Sequence, residues 1–163
     1  MKKLVIFYSL DGNTRLIAET ISETAGADIL ELKPVKEITR NNFLKYFAGG
    51  KDAILKAEPE LLPLDLNPSD YDLIFIGTPV WAWTYAPALR TFFKNNDIKD
   101  KRVALFYCHG GGERNFIEKF EEAVKDSKIL GKIGFKDPVR NEKEKDVARA
   151  REWAVEILKS VDF

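Results

Sequence analysis

Cysteine, histidine and methionine are almost missing from this chain, which holds one of each: Cys108, His109 and Met1. A single cysteine excludes an internal disulfide, and no metal site is read from so sparse a set of soft ligands. Net charge is missing too. Lys plus Arg and Asp plus Glu both number 26, so nothing general favours nucleic acid or an anionic membrane as a partner. No apolar run approaches the roughly 20 residues of a membrane-spanning helix. The opening "MKKLVIFYSL" lacks the apolar stretch and small-residue cleavage site of a secretory signal, so a cytoplasmic location is expected. There is no repeat, low-complexity tract or linker. What remains is 163 residues, 45% apolar and 32% charged, enough for one self-sufficient domain spanning 1–163.

"KLVIFY" from Lys3, "DLIFIG" from Asp72 and "RVALFYC" from Arg102 are short apolar runs of the kind covered on both faces. "ADILEL" reads as a strand whose Asp28 and Glu31 suit a sheet edge. A fifth strand is expected in "KILGKIGFK", where glycines blur the ends. Between these runs lie helical periodicities: Ile17, Ala18, Ile21 and Ala25 before a stop at Gly26; Ala88, Leu89, Phe92 and Phe93 after Pro87; and a last helix from about Glu142 to Val161. Asn115 and Glu118 have capping-box spacing. A further helix near Asn42 to Lys56, broken at Gly49-Gly50, precedes a proline-punctuated segment. Strands alternating with helices predict a doubly wound α/β domain with a parallel sheet.

In such a sheet, ligands bind beyond the carboxyl ends of the strands at the switch point of strand order. Three segments lie there. "SLDGNT", Ser9 to Thr14, opens a helix whose N-terminus attracts an anion, and it has no lysine, which excludes a Walker nucleotide loop. Ser9, Leu10, Asp11, Gly12, Asn13 and Thr14 read either as a cradle for one phosphate or as a plain helix cap. "TPVWAWTYAPA" sets Trp81, Trp83 and Tyr85 within five residues; one ring could face a ligand while another packs inward, or all could be core. "CHGGG" brings three glycines that let backbone groups approach a planar polar edge. His109 reads there as a loop residue with a solvated side chain, and Cys108 as a small buried residue rather than a nucleophile. A phosphate cradle, an aromatic wall and a glycine-rich edge together suit flavin mononucleotide (FMN).

At these residues the chain resembles the flavodoxin family over essentially its whole length. "YSLDGNTRLIAETI" is similar to the family's phosphate loop T-x-T-G-N-T, "IGTPVWAWTYAPALRTF" to its second flavin loop and "FYCHGGG" to its third. The Trp-rich loop, with "FLKYFAGGKDAILKAEPELLPLD" upstream, resembles a prokaryotic flavodoxin-like subgroup. The resemblance implies a five-stranded parallel sheet of order 2-1-3-4-5 and noncovalent FMN. It implies Ser9 to Thr14 on the phosphate, and Thr78, Pro79, Val80, Trp81, Ala82 and Trp83 along the redox edge and one face. Cys108, His109, Gly110, Gly111 and Gly112 would meet the pyrimidine end. Leu10 and Asp11 depart from the family's polar loop, and Asp11 is expected to turn its carboxylate away. Charge neutrality also departs from the acidic surface typical of electron carriers.

The implied function is low-potential electron transfer between a reductase and an acceptor protein, as a monomer, with no catalytic side chain. An FMN-dependent NAD(P)H:quinone oxidoreductase and a cofactor-less binding module are the alternatives. A phosphorylated receiver domain is set aside because Gly77-Thr78 stands where it needs an acidic residue.

Overall fold

Every expected apolar run becomes a strand. In the computed structural model, which describes residues 1–36 and 57–161, the order is β1 (Lys3–Phe7), α1 (Asn13–Ala25), β2 (Asp28–Glu31), β3 (Leu73–Trp81), β4 (Thr84–Tyr85), α2 (Pro87–Asn95), β5 (Arg102–His109), α3 (Phe116–Ala123), β6 (Lys128–Lys136) and α4 (Lys143–Val161). Five strands form a parallel sheet in the order β2-β1-β3-β5-β6, which is 2-1-3-4-5 when the parallel strands alone are counted. The chain steps outward from β1 to the edge strand β2, then crosses back to β3 on the other side. That reversal creates the switch point between β1 and β3.

Side chains alternate across the sheet, so each strand feeds two cores. Leu4 and Ile6 of β1 join Ile74, Ile76, Val103 and Leu105 under α2 and α3, whose Leu89, Phe92, Phe116 and Phe120 are fully buried. Val5 and Phe7 join Phe75, Ala104 and Phe106 under α1 and α4, against Ile17, Ile21, Trp153 and Ile157. Among the described residues, two helices on each face therefore cover an almost wholly apolar sheet. Each buried Leu, Ile or Phe contributes about 1.5–3 kcal/mol.

Helix boundaries follow local chemistry. Pro87 occupies the first turn of α2, where its missing N–H leaves no intrahelical bond unmade. Gly26 ends α1 in the left-handed region at φ 57°, donating its N–H to the Ser22 carbonyl. The capping box at Asn115 does not form: the residue has φ 52° and its side chain makes no cap hydrogen bond. Glycines blur "KILGKIGFK" for a steric reason. β6 runs through both, and a Cβ on Gly134 would come within 2.6 Å of the Tyr107 ring, while one on Gly131 would come within 2.8 Å of Ile157.

β3 is longer than "DLIFIG". It continues through Trp81, pairing Thr78 and Pro79 with Tyr107 and Cys108 of β5, then turns back through Ala82 and Trp83 into β4. The second of the three segments is thus a hairpin on a strand extension, not a free loop. The expected helix near Asn42 to Lys56, with its break at Gly49-Gly50, lies outside the described residues. No helix among the described residues is long and apolar enough to cross a membrane.

Candidate functional site

Parallel strands that start together also end together. Phe7 of β1 lies level with Gly77 of β3, and Pro79 of β3 level with Cys108 of β5. The three chemically unusual segments therefore meet at one sheet edge, around a cleft of about 210 Å³. Eight of the residues singled out from sequence line it: Asp11, Asn13, Pro79, Val80, Trp81, Cys108, His109 and Gly110. Asp137 and Arg140, from the turn after β6, complete the wall. Sequence reasoning missed them, although the rule that ligands sit beyond carboxyl ends applies to that strand as well.

The cradle at the start of α1 is built by its own short side chains. Gly12 has φ 92°, a left-handed value that glycine adopts without strain, and a Cβ placed there would touch nothing within 4 Å. Ser9 Oγ accepts the N–H groups of Gly12 and Arg15, each at 3.2 Å. Asp11 does not turn away. Its carboxylate accepts the Asn13 backbone N–H at 3.1 Å and the Asn13 amide at 3.0 Å, so it covers one of the donors an anion would use. Leu10 packs partly buried on the core.

Asn13 is a clamp. Its amide also donates to Asp137 at 2.9 Å, and its Oδ1 accepts the Val139 N–H at 2.9 Å, tying the β6–α4 turn to the first loop. Asp137, at φ 48°, donates its N–H to the His109 carbonyl at 3.0 Å. The Thr14 hydroxyl is different: it is buried and meets no partner of hydrogen-bonding geometry. Its side chain acts on the Cys108 thiol. Burial pushes that thiol well above its ordinary pKa, the Thr14 hydroxyl opposes the rise, and the fields of Asp11, Asp146 and Asp137 add to it. Cys108 is thus a buried, neutral thiol.

The two indoles separate. Trp81 is 8% exposed, lines the cleft and meets Tyr8 edge-on with ring centroids 5.5 Å apart. Trp83 is 44% exposed and does not line the cleft; its Nε1 lies 3.6 Å from where a Cβ on Gly112 would stand. Ala82 and Trp83 both have positive φ, 45° and 63°, as a two-residue type I′ hairpin turn requires. Neither is the Asn or Gly that such a turn favours. Thr78 is wholly buried and holds the hairpin: its hydroxyl accepts the Ala86 N–H at 3.0 Å and donates to the Pro79 carbonyl at 2.9 Å. Gly111, at φ 137°, and Gly112 lie outside the cleft lining.

His109 is not solvated. It ends β5, its side chain is 12% exposed, and its Nε2 stands 3.4 Å from Glu113 Oε1.

The family comparison joins this geometry. Residues 2–148 match the family described as Flavodoxin. The chain belongs to the flavodoxin family. Among curated relatives, the flavodoxin-like domain-containing protein BilS of Clostridioides difficile (strain CD3) is 30% identical over 137 residues. That match covers 80% of this chain and 63% of BilS, so the chain spans less than two thirds of that relative. Among solved structures, a flavoprotein of Lactobacillus acidophilus NCFM in complex with FMN has a TM-score of 0.64 and 26% identity, over 87% of this chain and 97% of that one. Oxidised Flavodoxin 2 of Bacillus cereus has a TM-score of 0.61 at 20% identity, covering 98% and 99%, a likeness of fold alone.

Proposed function

We propose that this flavodoxin-family chain binds one FMN in the cleft and acts as a low-potential electron carrier between redox proteins, as a single domain. The observation that carries the reading is the buried Thr14 hydroxyl, which has no well-formed hydrogen bond and only the Cys108 thiol beside it, next to left-handed Gly12 at the start of α1. A buried hydroxyl without a partner costs about 1–3 kcal/mol, and a phosphate oxygen at the helix N-terminus removes that cost. Further support comes from the FMN complex of the Lactobacillus relative. Ser9, Gly12 and Thr14 would hold the phosphate, with Asp11 moving off the Asn13 N–H. Trp81 would flank the ring, and the backbone of Cys108 to Gly110 would meet its polar edge. When bound, the flavin supplies the redox chemistry; the protein orients it and keeps water from its inner face. The Trp-rich hairpin supports membership of a Trp-rich prokaryotic subgroup, and the proposed setting is cytoplasmic.

One observation favours the rival reading, direct reduction of the flavin by NAD(P)H. Trp83, Arg114, Asn115 and Lys119 line a pocket of about 190 Å³, an indole beside two cations that suits an anionic nucleotide. Anaerobic reduction of the FMN-loaded protein separates the two. The carrier reading expects no bleaching by NADPH alone and bleaching when a reductase is added. Fast bleaching by NADPH alone contradicts it.

A further inference from the structure

The cleft contains one arrangement that the electron-carrier reading does not use. His109 lines it, with a side chain 12% exposed. Its Nε2 faces Glu113 Oε1 at 3.4 Å, and the other oxygen of that carboxylate accepts the Tyr107 hydroxyl at 2.5 Å. The Tyr107 and His109 rings are tilted against each other with centroids 6.1 Å apart. Gly134 makes this possible, since any larger residue would collide with the Tyr107 ring. Nδ1 is left buried and without a hydrogen-bond partner. A buried polar atom so placed on a site-lining residue is either a cost with no return or a contact kept for a ligand.

We propose that His109 is the proton-holding group of this cleft, with Glu113 and Tyr107 as its positioning residues. Glu113 keeps a proton on Nε2, which leaves the Nδ1 lone pair for an N–H of the bound ring system. When an external electron donor places negative charge in the cleft, one proton relayed from solvent reaches the imidazole, and the imidazolium is then held between Glu113 and that charge. No covalent bond to the ligand forms or breaks; one proton enters to balance one negative charge. The groups facing His109 permit this. Glu113, Asp137 and Asp11 favour a second proton, while Lys136, its partner in β6, and Arg140 across the cleft oppose it.

The inference rests on the flavin reading, and the test keeps the two apart. His109 is the only histidine, so its ring nitrogens need no assignment by mutagenesis. In the cofactor-free protein, nitrogen NMR is expected to show the Nε2–H tautomer, shifting toward a mixture in Glu113→Gln. In the FMN-loaded protein, the flavin's own proton uptake already makes the midpoint potential fall with rising pH, and His109 is expected to add a bend to that line somewhere between about pH 5 and 8. His109→Gln should lose that bend while keeping the flavin's own slope, and Glu113→Gln, a change at a half-exposed side chain, should displace it. An Nδ1–H tautomer in the free protein, or parallel potential profiles for wild type and His109→Gln, overturns the inference and leaves the flavin reading standing. Failure of the wild-type protein to take up FMN overturns both.

Discussion

Thr14 and Asp11 act in opposite directions on the same few ångströms of helix terminus. The Thr14 hydroxyl has no well-formed hydrogen bond in the protein, only the weak company of the Cys108 thiol. Thr14→Val keeps the shape and removes the unmet group, so the cofactor-free protein should gain up to about 1 kcal/mol in chemical denaturation, while FMN affinity falls about tenfold. A loss of both stability and affinity would mean that the hydroxyl has a structural partner. Asp11 instead supplies its own anion to the Asn13 N–H. Asp11→Thr restores the hydroxyl of the family's loop and removes a negative charge from the phosphate's neighbourhood. FMN binding measured by fluorescence quenching should tighten about tenfold, whereas riboflavin, which has no phosphate, should be little affected. Neither property was open to sequence reasoning. Asp11 looked certain to turn outward because two anions repel, but a short acceptor two residues before an N–H closes on it more easily than it leaves.

The β3–β4 hairpin carries the clearest conflict between local preference and position. Two non-glycine residues occupy its left-handed turn, at a cost of about 1–2 kcal/mol each. Ala82→Gly should therefore raise the denaturation midpoint, by about 1 kcal/mol, without touching the cleft lining. A fall in the midpoint would show that the turn is not strained in solution. Strain of this kind gathers where a fold presents a side chain to something else, here the exposed Trp83. Strand positions, the order of elements, the helix stop at Gly26 and the helix start at Pro87 were legible because apolar runs and turn residues act locally. The extension of β3 to Trp81 was not, since Thr78 and Pro79 pair with β5, distant in the chain, and Val80 and Trp81 pair with the return strand β4. His109 was misjudged for a similar reason. Its companion Glu113 is four residues away across a glycine turn, and only the fold shows that they meet. Asp137 and Arg140 belong to a loop whose chemistry looks ordinary until Asn13 is seen to bind it.

At the scale of the whole molecule, 26 cations balance 26 anions, so long-range attraction to a partner has little to work with. Association with a redox partner should then change rate only a few-fold between low and physiological salt, where strongly charged pairs change far more. A steep salt dependence in stopped-flow experiments would point to a local charged patch that the totals hide. What the fold itself achieves is geometric. A five-stranded parallel sheet brings three chemically unusual loops to one edge, and a fourth turn is tied to the first through Asn13 and to the third through Asp137. The central claim is that this edge holds one phosphate-bearing flavin, gripped at the start of α1. Calorimetric titration of the cofactor-free protein with FMN and, separately, riboflavin tests it most directly. One FMN per chain, bound at least tenfold more tightly than riboflavin, is the predicted result; no heat with either ligand, or equal affinity for both, would contradict it.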